Sequence, residues 1–242
     1  MRFHRVRVVR RVPHPERGFT QGLIACDGAV WESTGNYGRS ELRRYEFGAD
    51  AVAVRAELPP ELFGEGICQV GDSVWQLTWR ERVALRWDSR SLELLDKVPF
   101  NREGWGICAA AGSVLTSDGT SELVRRDPVT LVPSGLILVR CQGRRVPDLN
   151  DLEWAGGRVW ANLFGKRYLV GIDPGCGEVT DIVDAKAVIE RHWGNQEAVL
   201  NGIAALPGAG EFLLTGKGWR SIYHVRLAEH RAPREPAGLI AG

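Results

Sequence analysis

The chain has 242 residues, 44% of them hydrophobic and 25% charged, the balance of an ordinary globular protein able to bury a sizeable core in a single domain. With 31 basic against 30 acidic residues the net charge is +1, so no bulk field recruits nucleic acid or an anionic membrane surface. No run of about 18 apolar residues exists to span a bilayer, and Met1 to Val12 is too interrupted by arginine to form a signal-peptide core. The sequence therefore reads as soluble: cytoplasmic as it stands, periplasmic or secreted if an export signal has been removed. Five dispersed cysteines (Cys26, Cys68, Cys108, Cys141, Cys176) contain no Cys-x-x-Cys pair and read as buried thiols.

In chain order, Arg5-Val6-Arg7-Val8 alternates with period two, and the stretch stays β-prone to Val12. A pattern then repeats. Counting nine residues forward from Gly22 reaches Trp31, and the same step links Gly66 to Trp75, Gly106 to Leu115 and Asp151 to Trp160. A fifth copy, Gly202 to Leu213, carries two extra residues. The copies start about every 40 to 50 residues, a period that signals solenoids or propellers. Each copy supplies a further apolar run: Leu42 to Glu46, Val83 to Asp88, Leu123 to Asp127, Tyr168 to Asp173 and Ser221 to Leu227. Asp127-Pro128 and Asp173-Pro174-Gly175 are turn signals. A fourth run follows in copies one to four: Ala51 to Leu58, Leu92 to Val98, Leu131 to Val139 and Val179 to Val183. Short, regularly spaced strands predict an all-β fold, and four per copy in five copies predict a five-bladed β-propeller occupying residues 1–242.

The last copy ends after its third run, and residues 228–242 read as an irregular Ala/Pro/Gly-rich tail. The N-terminal stretch from Arg5 to Val12 is therefore assigned to the final blade, closing the ring and removing an exposed edge. One region departs from the strand pattern. Asp184 to Gln196 has helix formers between a capping Asp and a Gly, and reads as a helix that serves either as a lid or as packing.

A purely structural repeat keeps one residue type at equivalent positions, whereas the residues before the repeated glycine are Gln21, Glu65, Trp105, Asn150 and Asn201. Four residues beyond the Trp position stand Gly35, Trp79, Gly119, Phe164 and Lys217, again dissimilar. Trp31, Trp75 and Trp160 recur in register and read as core, while Trp79 and Trp105 occur once and read as pocket walls. The hub thus predicts a pocket with one carboxylate (Glu65), one ammonium (Lys217), three amides (Gln21, Asn150, Asn201) and the aromatic faces of Phe19, Phe63, Trp79, Trp105 and Phe164. Lys217 is one of four lysines among 31 basic residues, a compact point charge in a chain that mostly uses arginine. Glu65 and Lys217 either act on a ligand or fill the hub as a buried ion pair.

The segments FTQG (19–22), WESTGNYG (31–38), FGEG (63–66), LTW (77–79), EGWG (103–106), LNDLEW (149–154), WAN (160–162), LNGIA (200–204) and TGK (215–217) occur in this order. Together they resemble the glutaminyl cyclases of plant and bacterial type, from about Arg10 to Val225. The resemblance implies a five-bladed propeller that converts N-terminal glutamine of a peptide or protein to pyroglutamate with release of ammonia. It implies an acyltransferase that uses no catalytic metal and no cofactor, and a monomer whose partners are neither nucleic acid nor membrane. A structural calcium ion in a loop stays open. Glu65 would be the general acid/base, with Asn150 and Lys217 at the reacting end. Phe19, Gln21, Phe63, Trp79 and Trp105 would line the pocket. Asp151 stands where the family usually has Glu, and Phe164 where it usually has Trp, which widens the expected pocket.

Two other classes compete. A glycan-binding propeller would repeat its contacts in every blade, and the hub residues vary. A glycosidase needs two facing carboxyl groups about 5 to 9.5 Å apart, and Glu103 or Asp151 would have to partner Glu65.

Overall fold

Each nine-residue step from glycine to tryptophan folds as a β-hairpin, because it returns the chain antiparallel to itself: Ile24 pairs with Trp31 and Cys68 with Trp75. The computed structural model describes residues 1–189, 199–231, 233 and 240. After β1 (Arg2–Pro13), the first sheet is β2 (Thr20–Cys26), β3 (Ala29–Thr34), β4 (Glu41–Tyr45) and β5 (Val54–Glu57) in meander order. The second is β6 (Gly64–Val70), β7 (Ser73–Thr78), β8 (Val83–Asp88) and β9 (Leu94–Pro99). The third is β10 (Ile107–Ala110), β11 (Ser113–Thr116), β12 (Glu122–Arg126) and β13 (Pro133–Leu138). A two-stranded ribbon, β14 (Arg140–Cys141) with β15 (Arg144–Arg145), follows and has no counterpart in the sequence pattern.

The remaining strands share one eight-stranded sheet. Its first half is β16 (Leu149–Ala155), β17 (Arg158–Leu163), β18 (Tyr168–Ile172) and β19 (Val179–Asp184), and its second is β20 (Leu200–Ala205), β21 (Glu211–Gly216) and β22 (Ser221–His230). β1 joins the halves. It runs antiparallel to β22, from Phe3 opposite His230 to Pro13 opposite Ser221, and parallel to β19, from Arg2 opposite Asp181 to Arg5 opposite Asp184. The protein is all-β and propeller-like, and its innermost strands touch in cyclic order: β2 to β6, β6 to β10, β10 to β16, β16 to β20, and β20 back to β2.

The repeated glycine makes that inner contact possible. A Cβ on Gly106 would lie 2.0 Å from the Asn150 carbonyl oxygen, and one on Gly66 would lie 2.7 Å from that of Trp105. Only a residue without a side chain lets the strands converge so closely. The apolar side chains between the sheets form five clusters, and Trp31, Trp75 and Trp160 lie buried in three of them, as their recurrence implied. The indole N–H of Trp75 donates to the Pro128 carbonyl (3.0 Å) and that of Trp160 to the Ala155 carbonyl (3.1 Å), so the buried donors are satisfied.

The structure corrects several boundaries. β1 begins at Arg2 and has two partners instead of one. β22 continues to His230, three residues into the segment read as tail, because its long partner β1 supplies hydrogen bonds that a local propensity argument does not see. Ile240 is also buried, in the cluster containing Leu149 and Val170, and its carbonyl accepts from Lys166 Nζ (3.0 Å). Asp184 ends a strand rather than opening a helix; its carboxylate accepts the Lys186 N–H (3.0 Å) ahead of the short helix α1 (Lys186–Ile189). The remainder of the segment read as a helix serving as lid or packing, 190–196, lies outside the described residues. All five cysteines are free thiols, but Cys176 is exposed and Cys26 only half-buried, so the buried reading holds for Cys68, Cys108 and Cys141.

Candidate active site

Four of the five inner strands carry a register shift at the same place. The pairing slips between Thr20 and Gly22, between Gly64 and Ile67, between Leu149 and Leu152, and between Leu200 and Ile203. These steps bracket Gln21, Glu65, Asn150 and Asn201. An extra residue in one strand leaves the ladder locally unpaired and re-aims its side chain, and such bulges gather beside active sites. The dissimilar polar residues of the hub thus stand out from the sheets at one end of the inner strands.

There they meet in a cavity of about 370 Å³ lined by Phe19, Gln21, Asn36, Phe63, Glu65, Trp79, Trp105, Asn150, Phe164 and Lys217. Nine of the ten residues singled out by the sequence line it. The exception is Asn201, which is fully buried behind the wall; its Nδ2 donates to the Thr20 carbonyl (3.1 Å) and the Gln21 carbonyl (3.0 Å), and it faces Gln21 Oε1 at 3.3 Å. Asn201 therefore holds Gln21 in place. The two glycines of the second hub position leave space for aromatic rings. A Cβ on Gly119 would lie 2.7 Å from the Trp105 indole, and one on Gly35 would lie 2.3 Å from the Phe63 ring.

The aromatic wall has two parts: Phe63 packs edge-on to Phe19 and tilted against Trp79, and Trp105 packs edge-on to Phe164. Glu103 ties two of its members together, accepting from the Trp79 Nε1–H at 3.0 Å and the Trp105 Nε1–H at 3.4 Å. Glu81 fixes another corner, accepting from the Phe63 backbone N–H (3.2 Å) and from the Tyr37 hydroxyl (2.7 Å). Asn36, Glu81 and Glu103 were missed as site residues by the repeat comparison because they lie on connections, outside the repeated positions. The signal available for Glu103 was its place in EGWG, beside a singular tryptophan.

Glu65 is the one carboxylate among the described lining residues, and it is 5% exposed. Burial drives its pKa well above the usual carboxylate range, against the opposing pull of the Lys217 charge, with Asp151, Glu81 and Glu103 pushing the same way as burial. Its carboxylate makes no hydrogen bond to the described residues. Nor does it lie within the 4.0 Å of Lys217 that would make a salt bridge, so the hub-filling ion pair is not formed. The Lys217 ammonium sits over the rings of Phe19 (5.0 Å) and Phe164 (5.1 Å), and burial lowers its pKa while Glu65 and Asp151 raise it. Asn150 is buried, its Oδ1 without a hydrogen-bond partner among the described residues and its backbone carbonyl receiving the Ser117 hydroxyl (2.7 Å). Asp151, at the glycine position of its copy, turns elsewhere. Its Oδ2 accepts the Ile203 N–H (3.0 Å) and the Leu23 N–H (3.3 Å), stapling three inner strands.

Among the described residues no group of three or more His, Cys, Asp or Glu side chains is arranged to hold a metal ion. No helix among them is long and apolar enough to cross a membrane. A buried carboxylate with no hydrogen bond among the described residues, sharing an aromatic cavity with an ammonium, is suited to moving a proton on a small bound group. The class is therefore a propeller-like protein with an aromatic pocket at the mouth of its inner strands that holds one buried carboxylate and one ammonium.

The chain belongs to the glutamine cyclotransferase family, whose model matches residues 1–227. It is 32% identical over 240 residues to a glutaminyl-peptide cyclotransferase of Arabidopsis thaliana, a match covering 96% of this chain and 74% of the plant protein. It is also similar to the crystal structure of Myxococcus xanthus glutaminyl cyclase, with a TM-score of 0.88 and 32% identity over 95% of this chain and 99% of that one.

Proposed function

We propose that this protein is a glutaminyl-peptide cyclotransferase, an acyltransferase that closes the N-terminal glutamine of a peptide or protein onto its own amine and releases ammonia. The observation that carries the reading is Glu65: buried, without a hydrogen-bond partner among the described residues, and facing the cavity with its pKa raised. Family membership and the two relatives support the same reaction.

In this reaction the α-amine attacks the γ-carboxamide carbon, forming the ring C–N bond, and the C–N bond to the departing nitrogen breaks. One proton must leave the attacking amine and one must reach the leaving nitrogen. Glu65 does both, first as base and then as acid, which requires a carboxyl pKa raised toward neutrality. The α-amine itself titrates at about 7.7 to 8.0 in solution, so a base helps even at neutral pH. Lys217 offsets the oxyanion that forms on the carboxamide oxygen, and Asn150, whose Oδ1 has no partner among the described residues, binds the amine or amide N–H groups. Phe63, Trp79, Trp105 and Phe164 hold the side chain folded over its amine, turning cyclisation into a proximity effect. Every step is assigned to a side chain, so the proposed reaction needs no metal and no cofactor, and the acting unit is taken to be a monomer.

The scaffold is read as a five-bladed propeller closed by the N-terminal strand, a reading supported by the cyclic contacts of β2, β6, β10, β16 and β20 and by the seat of β1 between β19 and β22. A glycosidase is not favoured, since Glu103 is engaged by two indoles and Asp151 by two backbone amides. The test is incubation with a glutaminyl dipeptide, following ammonia and the pyroglutamyl product. Production of both at a rate above the uncatalysed one is expected; an unchanged dipeptide refutes the assignment.

A further inference from the structure

A second cavity, of about 500 Å³, adjoins the first and shares Phe19 and Asn36 with it as a common wall. Nothing in the cyclisation chemistry uses it. The reaction needs only the N-terminal residue, yet a peptide substrate continues from that residue's carbonyl and must leave the first cavity over one of its walls. Behind the wall of Phe19 and exposed Asn36 lies the open space of the second cavity.

The surroundings suit a polypeptide. Gly38 lines the second cavity with no atom within 4 Å of where its Cβ would stand, so a substrate backbone can come close to the protein backbone there. The charges are unevenly satisfied. Arg43 is paired with Glu41 at 2.6 Å, and Arg55 is paired with Glu16, which neutralises both cations in place. Arg17 and Arg39 are exposed, have no ion-pair partner among the described residues, and lie close in sequence to the shared wall. Glu57, on strand β5, is the remaining charge of the lining without an ion-pair partner among the described residues, which leaves two such cations against one such anion.

Given the cyclotransferase reading, on which this rests, we propose that the second cavity receives the residues that follow the N-terminal glutamine. Arg17 and Arg39 there favour substrates with acidic side chains in the first few downstream positions. These are exposed, solvent-screened charges, so the preference is modest, about fivefold in kcat/KM at low salt, and falls with ionic strength.

The test compares two hexapeptides with N-terminal glutamine, one carrying two aspartates and the other two lysines in the following positions, with glutamine amide as the reference. In wild-type protein the acidic peptide is expected to have the higher kcat/KM at low salt, and the ratio to approach one at high salt. The double variant Arg17→Glu/Arg39→Glu should reverse the ratio. A wild-type ratio of one at low salt, or a ratio the double variant leaves unchanged, overturns the subsite while glutamine amide is still cyclised. Failure to cyclise glutamine amide at all overturns the enzymatic reading instead. The salt dependence is measured on the wild-type chain, so the proposal stands or falls even if the double variant does not fold.

Discussion

Glu65→Gln separates a catalytic carboxylate from a structural one, because the two predict opposite changes in stability. Were Glu65 half of a hub ion pair, breaking it would cost about 3 to 5 kcal/mol, or roughly 6 to 20 °C in Tm for a chain of this length. The structure gives it no hydrogen bond among the described residues and no salt bridge with Lys217 within 4.0 Å, while burial penalises its charge. Replacing a desolvated acid by a neutral amide of the same shape should leave Tm within about 2 °C of wild type, or raise it. Activity should behave otherwise. Glutamine cannot relay a proton, so kcat should fall about 10²- to 10⁴-fold, the usual worth of a general acid/base and about 3 to 5 kcal/mol of barrier. The assays are thermal unfolding and ammonia release from a glutaminyl dipeptide at saturating substrate. A variant that cyclises at the wild-type rate refutes the proton-relay role, and one that loses more than about 6 °C shows that the hub pair exists after all.

Lys217→Met removes the positive charge that lowers the Glu65 pKa against burial, so that pKa should rise; the acid limb of the residual pH–rate profile should move to higher pH, and a limb that stays or moves down contradicts the electrostatic picture. Glu103→Ala frees both indoles it anchors, each such bond being worth about 0.5 to 1.5 kcal/mol, so KM should rise about tenfold with a smaller change in kcat, and an unchanged KM would show that the wall stands without it. Deleting residues 1–11 strips Phe3 and Val6 from their clusters, about 1.5 to 3 kcal/mol each, and bares the edges of β19 and β22; Tm should drop by more than about 6 °C, and an unchanged melt refutes the structural role of β1.

The strand plan was legible in the sequence because a meander writes its turns and alternation locally: the Gly-to-Trp steps mark the inner hairpins, and Val83 to Asp88 is β8 as read. The polar ring was legible for the opposite reason, that it breaks the repeat. What escaped was long-range. The bulges that aim Gln21, Glu65 and Asn150 depend on which residue faces which across a hairpin, and a one-residue slip leaves no trace in composition. The same blindness placed Asn201 with its ring neighbours, although its amide is consumed holding the Thr20 and Gln21 carbonyls. Glu103 and Asn36 act from connections, where no periodicity guides the eye. The length of β22 depends on β1, a strand more than two hundred residues earlier in the chain.

The seat of β1 also sets an order of events during synthesis. Phe3 is made more than two hundred residues before its partner His230, and Arg2 to Arg5 also await Asp181 to Asp184. At about 5 to 20 residues per second, the first strand spends roughly ten to forty-five seconds outside the ribosome before its last partner emerges. The three self-contained sheets between β2 and β13 can form meanwhile, each from contiguous chain. Through that interval β1 is an unpaired, β-prone strand of the kind that invites mispairing, and its arginines at positions 2, 5, 7, 10 and 11 keep it charged and solvated until β22 arrives to take it.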